Sequence, residues 1–144
     1  MTPLVNFREL EVGDMLPSVE KDPVTKTQLV RYAGASGDFN PLHTDDAVAQ
    51  KAGLKGVIAQ GLLIMGFVGQ AITSWVPKHH LKRFQVRFKG MTFPGDTISV
   101  SATVTEKVSE GENFRIVCHT EAKDQNGEIK LSGQFEVLAP IDPS

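Results

Sequence analysis

A single cysteine, Cys118, is all the thiol in this 144-residue sequence. It can form no internal disulfide, and no CxxC or Cys/His metal spacing exists, so a reduced, cytoplasmic setting is expected. A strong excess of either charge is also absent. Fifteen Lys and Arg stand against 17 Asp and Glu, a formal net charge of −2, which supplies no overall positive field for nucleic acid; there is no polybasic tail either. Met1–Asp14 contains no apolar signal core. The longest apolar run, Gly61–Trp75, is broken by Gly66, Gly69 and Gln70 and is short for a bilayer span. Neither a nucleic-acid partner nor a membrane role is expected. With no repeat, low-complexity tract or linker, residues 1–144 read as one domain. A composition of 40% hydrophobic and 22% charged residues suits a soluble globular core.

What is present changes character near residue 80. Residues 15–24 read as a first strand. Thr25 then resembles an N-cap, and Leu29, Val30, Tyr32 and Ala33 give an apolar face to a helix ending near Ala35. Asp45 is placed to cap a short helix through Lys51 that Gly53 ends. Gly61–Trp75 is apolar on nearly every side, the pattern of a helix buried all round, and Pro77 stops it. Gly66 and Gly69 fit either tight helix-on-sheet packing or a groove for an acyl chain. From residue 81 the period becomes two. Ile98, Val100, Ala102 and Val104 alternate with polar residues, as do Phe114, Ile116 and Cys118, then Leu131, Gly133, Phe135 and Val137. Turns fall at Pro94-Gly95-Asp96, Glu110-Gly111 and Asn126-Gly127, and such short spacings favour antiparallel hairpins. The fold class is α+β, a sheet wrapped around one long apolar helix.

The chemistry concentrates in Ser36-Gly37-Asp38-Phe39-Asn40-Pro41-Leu42-His43. Pro41 removes a backbone donor and biases Asn40 toward extended geometry, so the chain bends between Asp38 and His43. A carboxylate and an imidazole on a stiffened loop are the pair that proton transfer needs. If the apolar helix starts at Gly61, its leading amides can receive an oxygen that becomes anionic, and the missing side chain lets that oxygen approach.

Tyr32 and the run from Ser36 to Asp45, with Ala47 and Ala49, closely resemble the hydratase motif of MaoC-like dehydratases, the family of (R)-specific enoyl-CoA hydratases. The resemblance continues through Val57–Leu63 and from Arg87-Phe88 to Phe93-Pro94-Gly95-Asp96, about residues 10–138 in all. Single-domain fatty-acid dehydratase B subunits are a particularly similar kind of member. The resemblance implies a hot dog fold, a curved antiparallel sheet around a central helix, with dimerisation through the sheets. It also implies acyl thioesters of coenzyme A or acyl carrier protein as substrates, and no metal or organic cofactor. Carried onto this chain, Asp38 and His43 are the catalytic pair that activates water, and Gly61 offers its N–H to the thioester carbonyl. Asn40, Ser36 and Pro41 shape the loop, with Asn40 also able to orient water, and Gln60, Leu62, Gly66 and Gly69 are pocket candidates. Gln60 departs from the family, where histidine often precedes the glycine; glutamine hydrogen-bonds but carries no charge near neutral pH.

Other polar residues receive structural readings. His79 and His80 lie in a solvated turn, and with Lys51, Lys55 and Lys89 they are alternative contacts for the phosphates of a carrier. Alternation puts His119 on the face opposite Cys118, without an expected partner, so a cysteine nucleophile is not expected. Two further activities stay open beside the favoured hydratase. One is a hot dog thioesterase. The other is an acyl-binding or catalytic subunit of a heteromeric dehydratase that needs a second hot dog chain.

Overall fold

The computed structural model describes residues 5–142; residues 1–4, part of the segment read for a signal core, and 143–144 lie outside them. In chain order the elements are β1 (Val19–Glu20), α1 (Lys26–Ser36), α2 (Asp46–Lys51), α3 (Gly61–Trp75), β2 (Leu81–Phe88), β3 (Ser99–Glu110), β4 (Asn113–Lys123) and β5 (Ile129–Pro140). Short 3-10 turns occupy Pro41–His43 and Lys78–His80.

The period-two half folds as read. β3, β4 and β5 form two consecutive hairpins, and β2 pairs with β5 and β1 with β3, every pair antiparallel, in the order β1-β3-β4-β5-β2. α3 crosses one face of this sheet and buries Ile64, Phe67, Val68, Ala71, Ile72 and Trp75 against Val100, Ala102, Ile116, Cys118, Phe135 and Val137. Each such aliphatic or aromatic side chain contributes about 1.5–3 kcal/mol by leaving water. Trp75 stacks on Phe135 with ring centroids 6.1 Å apart and donates its Nε1–H to Pro17 O at 2.8 Å. The deepest ring thereby has its one polar atom satisfied.

Three expectations need correction. The strand expected over residues 15–24 survives only as Val19–Glu20 and an isolated Met15–Thr103 bridge. Pro17 and Pro23 cannot donate to a ladder, so the segment follows β3 through single bonds, Leu16 N to Ala102 O and Lys21 N to Ile98 O. α1 runs from its Thr25 cap to Ser36, but Val30 is 55% exposed, and the buried face is Leu29 and Ala33. α3 is not buried all round. Gly61, Leu62, Gly66, Gln70 and Thr73 form an exposed stripe, with Leu62 61% exposed, because the sheet covers only one side of the helix. No helix among the described residues is long and apolar enough to cross a membrane.

Candidate active site

The loop after α1 is built from side-chain-to-backbone bonds between near neighbours. Gly37, at φ 77°, ends α1 in the left-handed conformation that glycine adopts at least cost. Ser36 Oγ then accepts from Asp38 N (3.1 Å), Asp38 Oδ1 from Asn40 N (3.3 Å) and Asn40 Oδ1 from Leu42 N (3.1 Å). Pro41 occupies the first position of the 3-10 turn, where a missing N–H costs nothing. Asp45 caps α2 by accepting from Ala47 N at 3.0 Å. Asn40 is therefore engaged in shaping the loop.

This scaffold brings His43 Nε2 to 3.5 Å from Asp38 Oδ2, with the imidazole side chain 12% exposed and the carboxylate 46% exposed. His43 Nδ1 lies 2.7 Å from Ile58 O. A carbonyl only accepts, so Nδ1 carries a proton, and whenever the ring is neutral its Nε2 lone pair faces the carboxylate. At 3.5 Å two such acceptors leave no room for an atom between them, but one donor set beside both can bond each. A water that gives one O–H to each base keeps its own lone pair free to attack.

Residues 57–60 connect this pair to α3. Val57 N donates to Asp46 Oδ1 (3.0 Å), Ile58 N to Leu42 O (3.1 Å) and Ala59 N to Thr92 O (2.8 Å). Asp46 also pairs with Lys26, and that bond together with the Val57 amide holds its carboxyl below the ordinary value. Gln60 is 2% exposed and donates Nε2–H to Leu29 O at 3.0 Å, tying α1 to the start of α3; its Oε1 is buried without a partner. With the Gln60 side chain so used, α3 begins without a side-chain cap; Leu63 N bonds Gln60 O at 3.1 Å, and the amides of Gly61 and Leu62 suit another acceptor. A Cβ on Gly61 would lie 3.1 Å from the Phe88 ring, so glycine suits both the close ring and an incoming oxygen.

The sequence-derived residues thus divide. Ser36, Asp38, Asn40, Pro41 and His43 share one loop, and Ile58 couples that loop to Gln60 and Gly61. Leu62 and Gly66 lie on the exposed stripe, while Gly69 is half-buried with Phe84 nearby. Sequence reasoning gave no role to the Ile58 carbonyl, Asp46, Phe88 or Thr92. Ile58 and Phe88 lay within the segments that carried the resemblance, but a carbonyl and a ring contact leave no mark on a pattern. Cys118 is buried, which pushes its thiol up to about 12, so no thiolate is available. His119, expected to lack a partner, bonds Glu121 Oε1 at 3.0 Å. Of the phosphate candidates, Lys55 sits 4.2 Å over the Phe93 ring and His79 packs edge-on against His80. Burial, then His79 and Lys82, hold the His80 imidazole below its ordinary value. Among the described residues no group of three His, Cys, Asp or Glu is placed to hold a metal ion.

The antiparallel sheet packed on α3 is a hot dog fold. The MaoC like domain matches residues 9–126, and the chain belongs to that family. Fatty acid synthase subunit beta of Gibberella zeae is 31% identical over 97% of this chain, which spans 6% of that protein. The (R)-specific enoyl-CoA hydratase of Rhodospirillum rubrum is 28% identical, with 81% of each chain covered. Among solved structures, the unliganded R-hydratase PhaJ1 from Pseudomonas aeruginosa superposes with a TM-score of 0.82 at 29% identity, over 96% of this chain and 88% of that one. The chain therefore corresponds to a small part of the first relative and to most of the other two.

Proposed function

We propose that this chain is a hydro-lyase, a single hot dog domain that reversibly hydrates trans-2-enoyl thioesters to (R)-3-hydroxyacyl thioesters. The observation that carries the reading is the 3.5 Å Asp38–His43 pair, its imidazole oriented by Ile58 O, in the segment that leads into the uncapped start of α3 at Gly61. Water held by Asp38 and His43 together gives a proton to the pair as its oxygen adds to C3. The electrons move to the thioester oxygen, which the Gly61 amide and the helix dipole meet. The proton that completes C2 returns from the same pair, so one water is added overall. Dehydration uses the same groups in exchanged roles. The acid–base pair and the amide suffice for both directions, and no metal or organic cofactor enters.

The same site supports an oligomer. Phe39, Leu62, Phe88 and Met91 are large apolar side chains at least half exposed; Phe39 lies beside Asp38, and Leu62 and Phe88 beside Gly61. β2 is an edge strand, with β5 as its neighbour. A second copy joined along the sheets gives these groups cover, and the reading is a homodimer in a cytoplasmic compartment. The exposed stripe of α3 equally favours a heterodimer with another hot dog chain.

Purified chain incubated with enoyl-CoA and enoyl-carrier-protein substrates of increasing length is expected to give 3-hydroxyacyl products of R configuration, without thiol release. Free thiol without a 3-hydroxy product would replace the proposal with a thioesterase. Turnover that appears only after a second hot dog protein is added would establish the heteromeric form.

A further inference from the structure

Lys130 is the one lysine whose side chain is almost fully buried, at 4% exposure, and its ion-pair partner Asp124 is equally buried. Nζ lies 3.3 Å from Asp124 Oδ2, 3.3 Å from Glu128 Oε2 and 2.7 Å from Met91 O. An ammonium has three protons, and each has an acceptor. Burial alone would raise the Asp124 carboxyl; the Glu128 and Asn126 amides and Lys130 outweigh it and hold the group below its ordinary value. Desolvating two charges seldom stabilises a fold relative to an apolar pair, so the pair calls for a role beyond stability. Its acceptor points to one.

Residue 130 grips the connection after β2 from two directions. Its carbonyl accepts from Lys89 N (2.9 Å) and Gly90 N (3.2 Å), while its ammonium holds Met91 O. The fit is close enough that a Cβ on Gly90 would lie 3.2 Å from Ile129 O. The gripped segment meets the start of α3 at both ends, through the Phe88 ring against Gly61 and through Thr92 O, which accepts the Ala59 amide at 2.8 Å. Thr92's own hydroxyl is buried without a partner. The hydrogen bonds seen at residues 89–91 thus all come from residue 130.

We propose that Lys130 is a positioning residue: by holding the Met91 carbonyl it seats residues 88–92 against Ala59–Gly61 and so sets where the Gly61 amide points. The consequence for turnover rests on the hydratase reading; the consequence for the Ala59 amide does not. Asp124→Asn/Lys130→Met, in the full chain, removes both buried charges together and leaves an amide oxygen for Asn126 N and Glu128 N. Amide hydrogen exchange by NMR is expected to quicken at least about tenfold at Ala59, with Val100 and Ile116 unchanged. Hydration of crotonyl-CoA is expected to lose about 10- to 100-fold in kcat with KM within about threefold. Gly90→Ala, whose methyl would press on Ile129 O, Glu128 Oε1 and Lys130 Cδ while leaving every charge in the chain, is expected to move Ala59 exchange and kcat in the same direction, and it decides the matter if the double variant does not fold. Unchanged Ala59 exchange in a folded variant overturns the proposal, whatever happens to kcat. Quickened Ala59 exchange in a protein whose wild type hydrates no enoyl thioester keeps the positioning role and removes the hydratase reading.

Discussion

The loop at residues 36–45 and the junction of residues 57–61 with 88–92 each place one half of the candidate site, by opposite means. The loop is held by bonds between near neighbours: Ser36 to Asp38, Asp38 to Asn40, Asn40 to Leu42 and Asp45 to Ala47. The junction is held by bonds between distant segments: Ala59 to Thr92, Gln60 to Leu29 and Met91 to Lys130. A bond between near neighbours orders little chain and can be lost alone. A bond across the fold exists only when the sheet and α3 are already packed, so it reports on the whole fold. The loop should therefore tolerate loss of single bonds with local damage, whereas displacement of the junction should be felt at Gly61 without loss of the loop.

The largest effect belongs to the chemistry itself. Asp38→Asn and His43→Ala are each expected to lower kcat for crotonyl-CoA hydration by about 10²–10⁴-fold, and the double variant to lose little more than the worse single one, because both groups hold one water. Circular dichroism should show both folded. Near wild-type turnover in either variant removes the mechanism. Next comes Gly61→Ala. Phe88 is half exposed and its ring can swing from the added methyl, so the melting temperature should hardly move while kcat falls about 10²-fold. Combining it with Phe88→Ala separates two causes. Recovery assigns the loss to crowding by the ring, and continued loss assigns it to the methyl blocking the carbonyl. Unaltered kcat in the single variant would detach Gly61 from the site. Asn40→Ala sharpens the local half of the comparison: losing the bond to Leu42 N should cost about 1 kcal/mol of stability and reduce kcat about tenfold, with Ala59 exchange unaffected.

The same contrast explains what could be read from the sequence. Pro41 and Asp45 act through positions within a few residues of themselves, so turn and cap were legible, as were the α3 bounds and the hairpins of β3 to β5. The resemblance gave the family and proposed the site residues. The Ile58 carbonyl, the Phe88 ring and Lys130 were not legible, because a main-chain oxygen carries no residue identity and a lysine in a strand reads as solvated. The α3 stripe was misread for a related reason. Leu62, Gly66 and Gln70 sit in an apolar sequence, but burial depends on what covers a face, and among the described residues that face stays exposed, with only a bond from Lys21 Nζ to Gln70 Oε1 reaching it.

Acid sensitivity supplies the smallest effect. Asp46 belongs to both regions: it opens α2 beyond the loop, and its Oδ1 accepts the Val57 amide of the junction. Its carboxyl is held below the ordinary value, first by the Lys26 hydrogen bond and then by the Val57 amide. The folded state therefore binds that proton less readily than the unfolded chain. The resulting stability is fully present above the unfolded carboxylate value of about 3.9 and is lost as pH falls through the lower folded value. Asp124, also held low, adds to the same decline. Melting temperature followed from neutral pH to about pH 3 should fall less steeply for Asp46→Asn than for wild type, and the difference in slope should vanish above about pH 5. Lys26→Met should flatten the curve by part of that amount, since the Val57 amide still favours the ionised carboxyl. An Asp46→Asn curve parallel to wild type throughout would mean that the link between loop and junction does not depend on that charge.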